Sequence, residues 1–205
     1  MIRQPPFAPD SAGSPAALAV AATSGGRRRF VSLTLGATLL GGAPGVAKAT
    51  VLSRAATRDL AMNHTHTRET IALTYAIGRS YVPEALADFD RFLRDHYSGL
   101  AGRMDPALYD LMHAVRASLK ARVPFQIISG YRAPQTNEHL RTTRGGGVAK
   151  RSLHMDGKAV DVRLPGVPLA ELRDAALALK RGGVGYYPGS NFVHLDTGAV
   201  RSWRG

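Results

Sequence analysis

The chain has 205 residues and no cysteine, and its 27 Lys and Arg against 15 Asp and Glu give a formal net charge of +12. Hydrophobic residues make up 44% and charged residues 20% of the sequence, which is typical of a globular protein. The absence of cysteine excludes disulfide scaffolds, cysteine-based zinc fingers, iron–sulfur clusters and cysteine nucleophiles.

The N-terminal part of the chain has the features of an export signal. Residues 1–26 are rich in Ala, Pro, Gly and Ser and predict a disordered extension. Three arginines, 27–29, then precede an uncharged stretch, 31–46, which is followed by Ala47-Lys48-Ala49. This order predicts a cleaved signal, and the paired arginines resemble a twin-arginine signal. The uncharged stretch is too short, and too rich in glycine, for a membrane span.

We therefore expect an export signal with its extension at 1–49 and one mature domain at 50–205. The first 49 residues hold five basic groups and one acidic group, so their removal lowers the net charge from +12 to +8. We expect a periplasmic protein without a stable membrane span after cleavage, whose charge suits an anionic cell-wall polymer. The chain contains no basic recognition helix or RNA-binding motif, so we expect no nucleic-acid partner.

Apolar spacing predicts the elements of the mature part in chain order. An early strand spans 54–70 and ends near Thr67, a helix begins at Pro83, and a second helix begins at Asp105-Pro106, an acceptor cap followed by proline. The later elements are a strand at 124–128, a helix at 133–141, a glycine-rich loop at 142–150, a strand at 159–162, a helix at 168–180, and strands at 184–187 and 192–195. Helices followed by strands with helices between them predict the α+β class.

Two motifs near the C-terminal end carry residues suited to metal chemistry. His154 lies in a predicted turn and Asp161 lies in the strand after it, so an imidazole and a carboxylate can meet over one point. His194, on an adjacent strand, completes a His/Asp/His set. Three nitrogen and oxygen ligands with an open water position are typical of a catalytic zinc site.

The pattern S-x-H-x-x-G-x-A-x-D at 152–161, followed by a histidine on a strand, resembles the LAS group of zinc peptidases. Within that group the chain is most similar to the peptidase M15 (DUF882) type of murein endopeptidase. The other matching segments are 64–69, 129–132, 147–149, 182–188, 192–198 and 201–203, so the resemblance covers nearly the whole mature chain. It implies a small antiparallel sheet that carries the zinc site, flanked by helices as in Hedgehog domains and DD-peptidases. It also implies one zinc ion per chain at His154, Asp161 and His194.

The resemblance further implies roles for residues around the metal. Arg132 would bind a substrate carboxylate or the developing oxyanion, and Ser152 would hydrogen-bond the peptide. Many LAS enzymes place a glutamate base three residues before the last ligand histidine, where this chain has Asn191. Asp196 therefore has two open roles, the general base or a carboxylate that orients an imidazole. Tyr187 either stacks on the substrate or packs in the core.

Together these expectations describe an exported, monomeric zinc metallopeptidase. Its zinc-activated water would attack the scissile amide in peptide cross-links of peptidoglycan, so the stem peptides are the expected partner. Two alternatives remain open. One is a DD- or LD-carboxypeptidase that acts on stem peptides, and the other is a non-catalytic module that binds metal or cell wall.

Overall fold

The computed structural model describes residues 56–143 and 148–205, and within these ranges the chain forms eight strands and four helices. The strands are β1 (Thr57–His64), β2 (Thr70–Ile77), β3 (Ser80–Tyr81), β4 (Phe125–Ser129), β5 (Ala159–Arg163), β6 (Gly183–Tyr187), β7 (Phe192–Asp196) and β8 (Arg201–Arg204). The helices are α1 (Pro83–Phe92), α2 (Pro106–Ser118), α3 (Pro134–Thr143) and α4 (Leu169–Leu179). The predicted export signal lies outside the described residues. No helix within them has the length and apolar character needed to cross a membrane.

All eight strands belong to one sheet, in the order β3-β2-β1-β4-β5-β7-β6-β8. The pairs β1–β4 and β6–β8 are parallel, and the other neighbouring pairs are antiparallel. The protein is therefore mixed α/β, but its sheet is larger than the small antiparallel one that was expected. The early strand expected at 54–70 is also shorter, because the chain turns after His64 and returns as β2.

The helices begin close to where the sequence predicts them. Asp105 accepts a hydrogen bond from the Ala107 backbone N–H at 3.0 Å, and Pro106 is the first residue of α2. This cap satisfies a backbone donor that the helix cannot pair internally. The core lies between the sheet and the helices, since α1 contacts β2, α2 contacts β1 and α4, and α4 contacts β6 and β7.

Strand register brings the predicted metal ligands onto one face of the sheet. Asp161 on β5 is the direct partner of His194 on β7 and of Ser129 on β4. Gly185 on β6 faces His194 from the other side. Directly paired residues of neighbouring strands point to the same face, so β4, β5, β7 and β6 form the floor of a common site.

Candidate metal centre

His154 is held in a tight turn that precedes β5. Within this turn the Lys158 backbone N–H donates to the Leu153 carbonyl at 2.9 Å. Gly157 has a φ of +66°, and a Cβ at this position would lie 2.0 Å from the Arg103 carbonyl oxygen. Only glycine therefore allows the turn to pack against the segment that leads into α2.

Three ligand atoms converge at the end of this turn. His194 Nδ1 lies 2.9 Å from Asp161 Oδ1 and 3.2 Å from His154 Nε2, and His154 Nε2 lies 3.3 Å from the same carboxylate oxygen. Tetrahedral coordination with bonds of about 2.0–2.1 Å places ligand atoms about 3.3 Å apart. All three residues are buried and together form a group that could hold a metal ion.

The outer nitrogen of each imidazole has its own acceptor. His154 Nδ1 lies 2.7 Å from the Gly130 carbonyl, and His194 Nε2 lies 3.2 Å from Asp196 Oδ2. An N–H that donates outward on each ring leaves its inner nitrogen with a lone pair directed at the convergence point. Two imidazole nitrogens and a carboxylate this close together are stabilised by a positive charge between them, either a proton on His194 or a metal ion. The donor set therefore fits zinc.

The electrostatics of the three residues favour a cation at this point. Burial would raise the pKa of the Asp161 carboxyl, but the imidazoles of His154 and His194 outweigh it and lower the pKa well below its usual value. Burial would lower the pKa of His194, but its hydrogen bonds to Asp161 and Asp196 raise the pKa to about 9. Burial dominates at His154 and lowers its pKa. A metal ion that displaces protons from such a set binds more tightly as the pH rises.

Asp196 lies behind His194 and is fully buried. Its Oδ1 accepts hydrogen bonds from the backbone N–H groups of Gly183 and Gly198 at 2.9 and 2.8 Å. Its Oδ2 contacts His194 Nε2 and accepts from Arg201 Nη2 at 2.7 Å. Burial would raise the pKa of Asp196, but these partners lower it far below the usual range. The carboxylate is thus ionised and surrounded by donors, and it does not line the cavity above the metal centre.

A cavity of about 630 Å³ opens over the three ligands. Arg132 lines it, with Nη2 3.9 Å from Asp161 Oδ2. Ser152 and Tyr187 also line it, and the Tyr187 hydroxyl accepts from Trp203 Nε1 at 2.8 Å. Asn191 is instead exposed on the turn between β6 and β7, with a φ of +54°. The structure therefore brings Arg132, Ser152 and Tyr187 to the metal centre and leaves Asn191 outside it.

Two buried polar residues outside the predicted site support the cavity wall. Asn137 accepts from Arg132 Nη1 at 3.4 Å and donates to the Ala149 carbonyl at 3.1 Å. Asp95 accepts from the backbone N–H groups of Tyr97 and Ala133 at 2.9 and 2.8 Å. The contact of Asp95 with Ala133 spans 38 residues and that of Asn137 with Ala149 spans 12, so no local spacing could have indicated these two.

Gly185 gives the metal centre a further neighbour. A Cβ at Gly185 would lie 2.7 Å from the Trp203 indole, so the glycine makes room for this ring. The Trp203 ring centroid lies 5.2 Å from that of His194. The last strand of the sheet therefore packs directly against His194, a predicted metal ligand.

The protein thus combines a mixed α/β fold with two histidines and an aspartate at the floor of an arginine-bearing cavity, an arrangement that could hold a single metal ion. Residues 52–203 match the peptidase M15 family described as peptidoglycan L,D-endopeptidase MepK, and the chain belongs to this family. This confirms the resemblance to the M15 type that the sequence motifs indicated.

Curated relatives agree with the family match. The peptidoglycan L,D-endopeptidase MepK of Escherichia coli (strain K12) is 45% identical over 180 residues, which cover 86% of this chain and 96% of the relative. The MepK of Shigella flexneri matches to the same extent. The probable MepK of Haemophilus influenzae is 38% identical over 149 residues, covering 72% of this chain and 80% of the relative. No solved structure matches the chain.

Proposed function

We propose that this protein is a zinc-dependent murein endopeptidase that hydrolyses peptide cross-links of peptidoglycan at an L,D bond. The observation that carries the proposal is the convergence of three buried ligand atoms, 2.9–3.3 Å apart, at the floor of a cavity. The named activity of the family and of its curated relatives supports the choice of substrate and bond.

His154, Asp161 and His194 hold the zinc ion in this proposal. A bound zinc ion would polarise the scissile carbonyl and lower the pKa of a water molecule toward ~7. Arg132, whose guanidinium lies beside Asp161, stabilises the oxyanion that develops on the carbonyl oxygen. Ser152, which lines the cavity, hydrogen-bonds the peptide, and Tyr187, which also lines it, contacts the substrate.

Asp196 orients His194 in this proposal and does not serve as the general base. Its burial, its four donors and its position behind His194 support this role. A general base must reach the water that it deprotonates, whereas Asp196 does not line the cavity. By accepting from Nε2, Asp196 keeps the lone pair of His194 Nδ1 directed at the metal.

We also propose that residues 1–49 direct export to the periplasm by the twin-arginine route and that the mature protein acts as a monomer. The net charge of +8 that remains after removal of these residues suits the anionic cell wall. The test is the size of the chain recovered from periplasmic extracts, with and without a substitution of Arg27 and Arg28 by lysine. Retention of the unprocessed chain in the substituted protein is expected, and unchanged processing would contradict the route.

The test of the activity uses purified protein and murein sacculi, with zinc or with a chelator. We expect cross-linked muropeptides to be converted to uncross-linked ones with zinc, and this conversion to stop with the chelator. His154→Ala should abolish it, and Asp156→Asn, an exposed acid in the same turn, should not. Release of single amino acids with intact cross-links would indicate a carboxypeptidase instead. Zinc binding without any change in the muropeptides would indicate a non-catalytic module.

A further inference from the structure

The cavity above the metal centre carries an excess of positive charge. The charged side chains that line it are Asp95, Asp161, Arg132, Arg151 and Arg201. Neither acid is available to a ligand with a positive group. Asp95 is 1% exposed and hydrogen-bonded to backbone N–H groups, and Asp161 is surrounded by the two imidazoles.

Two of the three arginines are engaged within the protein. Arg201 pairs with the buried Asp196 at 2.7 Å. The Arg132 side chain is only 14% exposed and contacts Asn137 and Asp161. Arg132 is therefore fixed beside the metal centre, where the scissile carbonyl of a substrate must lie.

Arg151 differs from the other two arginines because it is exposed and has no carboxylate partner among the residues that the structure describes. It also lines the cavity, and it immediately precedes Ser152 in the sequence. A guanidinium group is always charged and presents a planar fork of donors that matches a carboxylate. An exposed arginine at a cavity whose own acids are occupied is suited to a carboxylate that the ligand brings.

We propose that Arg151 binds a free carboxylate of the substrate, in a residue that flanks the cleaved amide, while Arg132 serves the developing oxyanion. The inference rests on the proposed function and adds a specificity to it: acidic cross-linked peptides are preferred over the same peptides in which this carboxylate is amidated. The cavity, at about 630 Å³, is large enough for the residues on both sides of one amide bond.

The test compares two synthetic cross-linked peptides that differ only in carboxylate or carboxamide at this position. The proteins are the zinc-loaded wild type, Arg151→Ala, Arg151→Lys and, as a matched control, Lys150→Ala, which removes an exposed charge that does not line the cavity. We expect Arg151→Ala to lower the ratio of kcat/KM for the carboxylate over the carboxamide peptide by about 10- to 100-fold, mainly through KM, because a hydrogen-bonded charge is lost. Arg151→Lys should recover part of the ratio, and Lys150→Ala should keep the wild-type ratio.

An unchanged selectivity ratio in Arg151→Ala would overturn the inference, including the case in which kcat/KM falls equally for both peptides. The proposed function is tested separately by whether the wild type cleaves either peptide. Calorimetric binding of analogues of the two peptides in which the scissile amide is reduced to an amine, and so cannot be hydrolysed, gives the same comparison for wild type and Arg151→Ala without turnover. Weaker binding of the carboxylate peptide alone is expected, and equal binding of both peptides by the two proteins would again overturn the inference.

Discussion

Asp161 and His194 are direct partners across β5 and β7, and Asp161 Oδ1 lies 2.9 Å from His194 Nδ1. Side chains alternate between the two faces of a sheet, so a slip of one residue in this register would move one ligand to the opposite face. The geometry of the metal centre is therefore a property of the strand pairing.

Removal of one ligand should abolish tight metal binding. Asp161→Asn keeps the size of the side chain but removes its charge. We therefore expect zinc affinity to fall by at least ~100-fold, which is more than the loss typical when a residue that only hydrogen-bonds a metal ligand is replaced. Competition with a chromogenic chelator measures the affinity. Asp156→Asn serves as the control and should bind zinc like the wild type, while an unchanged affinity of Asp161→Asn would refute the assigned ligand set.

Asp196→Asn separates the two roles that the sequence leaves open. An orienting carboxylate contributes to metal affinity, so the variant should bind zinc about 10- to 100-fold more weakly. A general base would instead leave zinc affinity unchanged and lower kcat. Chelator competition and steady-state kinetics on the same preparation, with circular dichroism to confirm folding, decide between these outcomes.

Two glycines with positive φ should differ in their tolerance of alanine. Gly166 has a φ of +78° and open space around its Cβ position, so Gly166→Ala should cost only the left-handed conformation, about 1–2 kcal/mol. Gly157→Ala adds an overlap with the Arg103 carbonyl and should cost more than ~3 kcal/mol. Urea unfolding of both variants measures the difference, and equal losses would contradict the packing of the His154 turn.

His64 should make stability depend on pH. Burial, together with the positive charges of nearby His96, His66 and Arg94, lowers its pKa from 6.5 to about 4, so the folded protein keeps this imidazole neutral. The unfolded chain takes up a proton below pH 6.5, and stability should therefore fall as the pH decreases from about 6.5 toward 4. Above pH 6.5 this loss is absent.

His64→Gln tests the pH dependence, because a glutamine oxygen can replace Nδ1 as the acceptor of the backbone N–H groups of His66 and Thr67. The difference in unfolding free energy between wild type and variant should shrink between pH 7.5 and pH 4.5. His139→Gln, an exposed change on α3, provides the matched control and should show a constant difference. A constant difference for His64→Gln as well would mean that His64 is not responsible.

Much of the site could be predicted because its ligands lie in short motifs on adjacent elements. The spacing of His154, Gly157 and Asp161 specifies a turn followed by a strand, and the structure shows both. The start of α2 was equally predictable, since Asp105 and Pro106 act within a single turn of helix.

The remaining features depend on contacts that no local pattern contains. β3 and β8 are short edge strands whose residues are mostly exposed, so they lack the alternation that indicates a half-buried strand. Asp95 was missed because its partner Ala133 is 38 residues away. A spacing of two residues could not show whether Asp196 faces the cavity or the outer nitrogen of His194. Both roles of Asp196, general base and orienting carboxylate, therefore stayed open in the sequence.

Gly185 allows the Trp203 indole to pack against His194, and Trp203 is the only tryptophan in the chain. With excitation at a wavelength that tyrosine does not absorb, the intrinsic emission therefore comes from a single reporter that packs against a predicted metal ligand. Zinc binding, zinc loss and protonation of His194 each change the charge beside this indole, so they can be followed by emission in the unlabelled protein. The same signal gives the rate of metal exchange in stopped-flow experiments and requires no engineered probe.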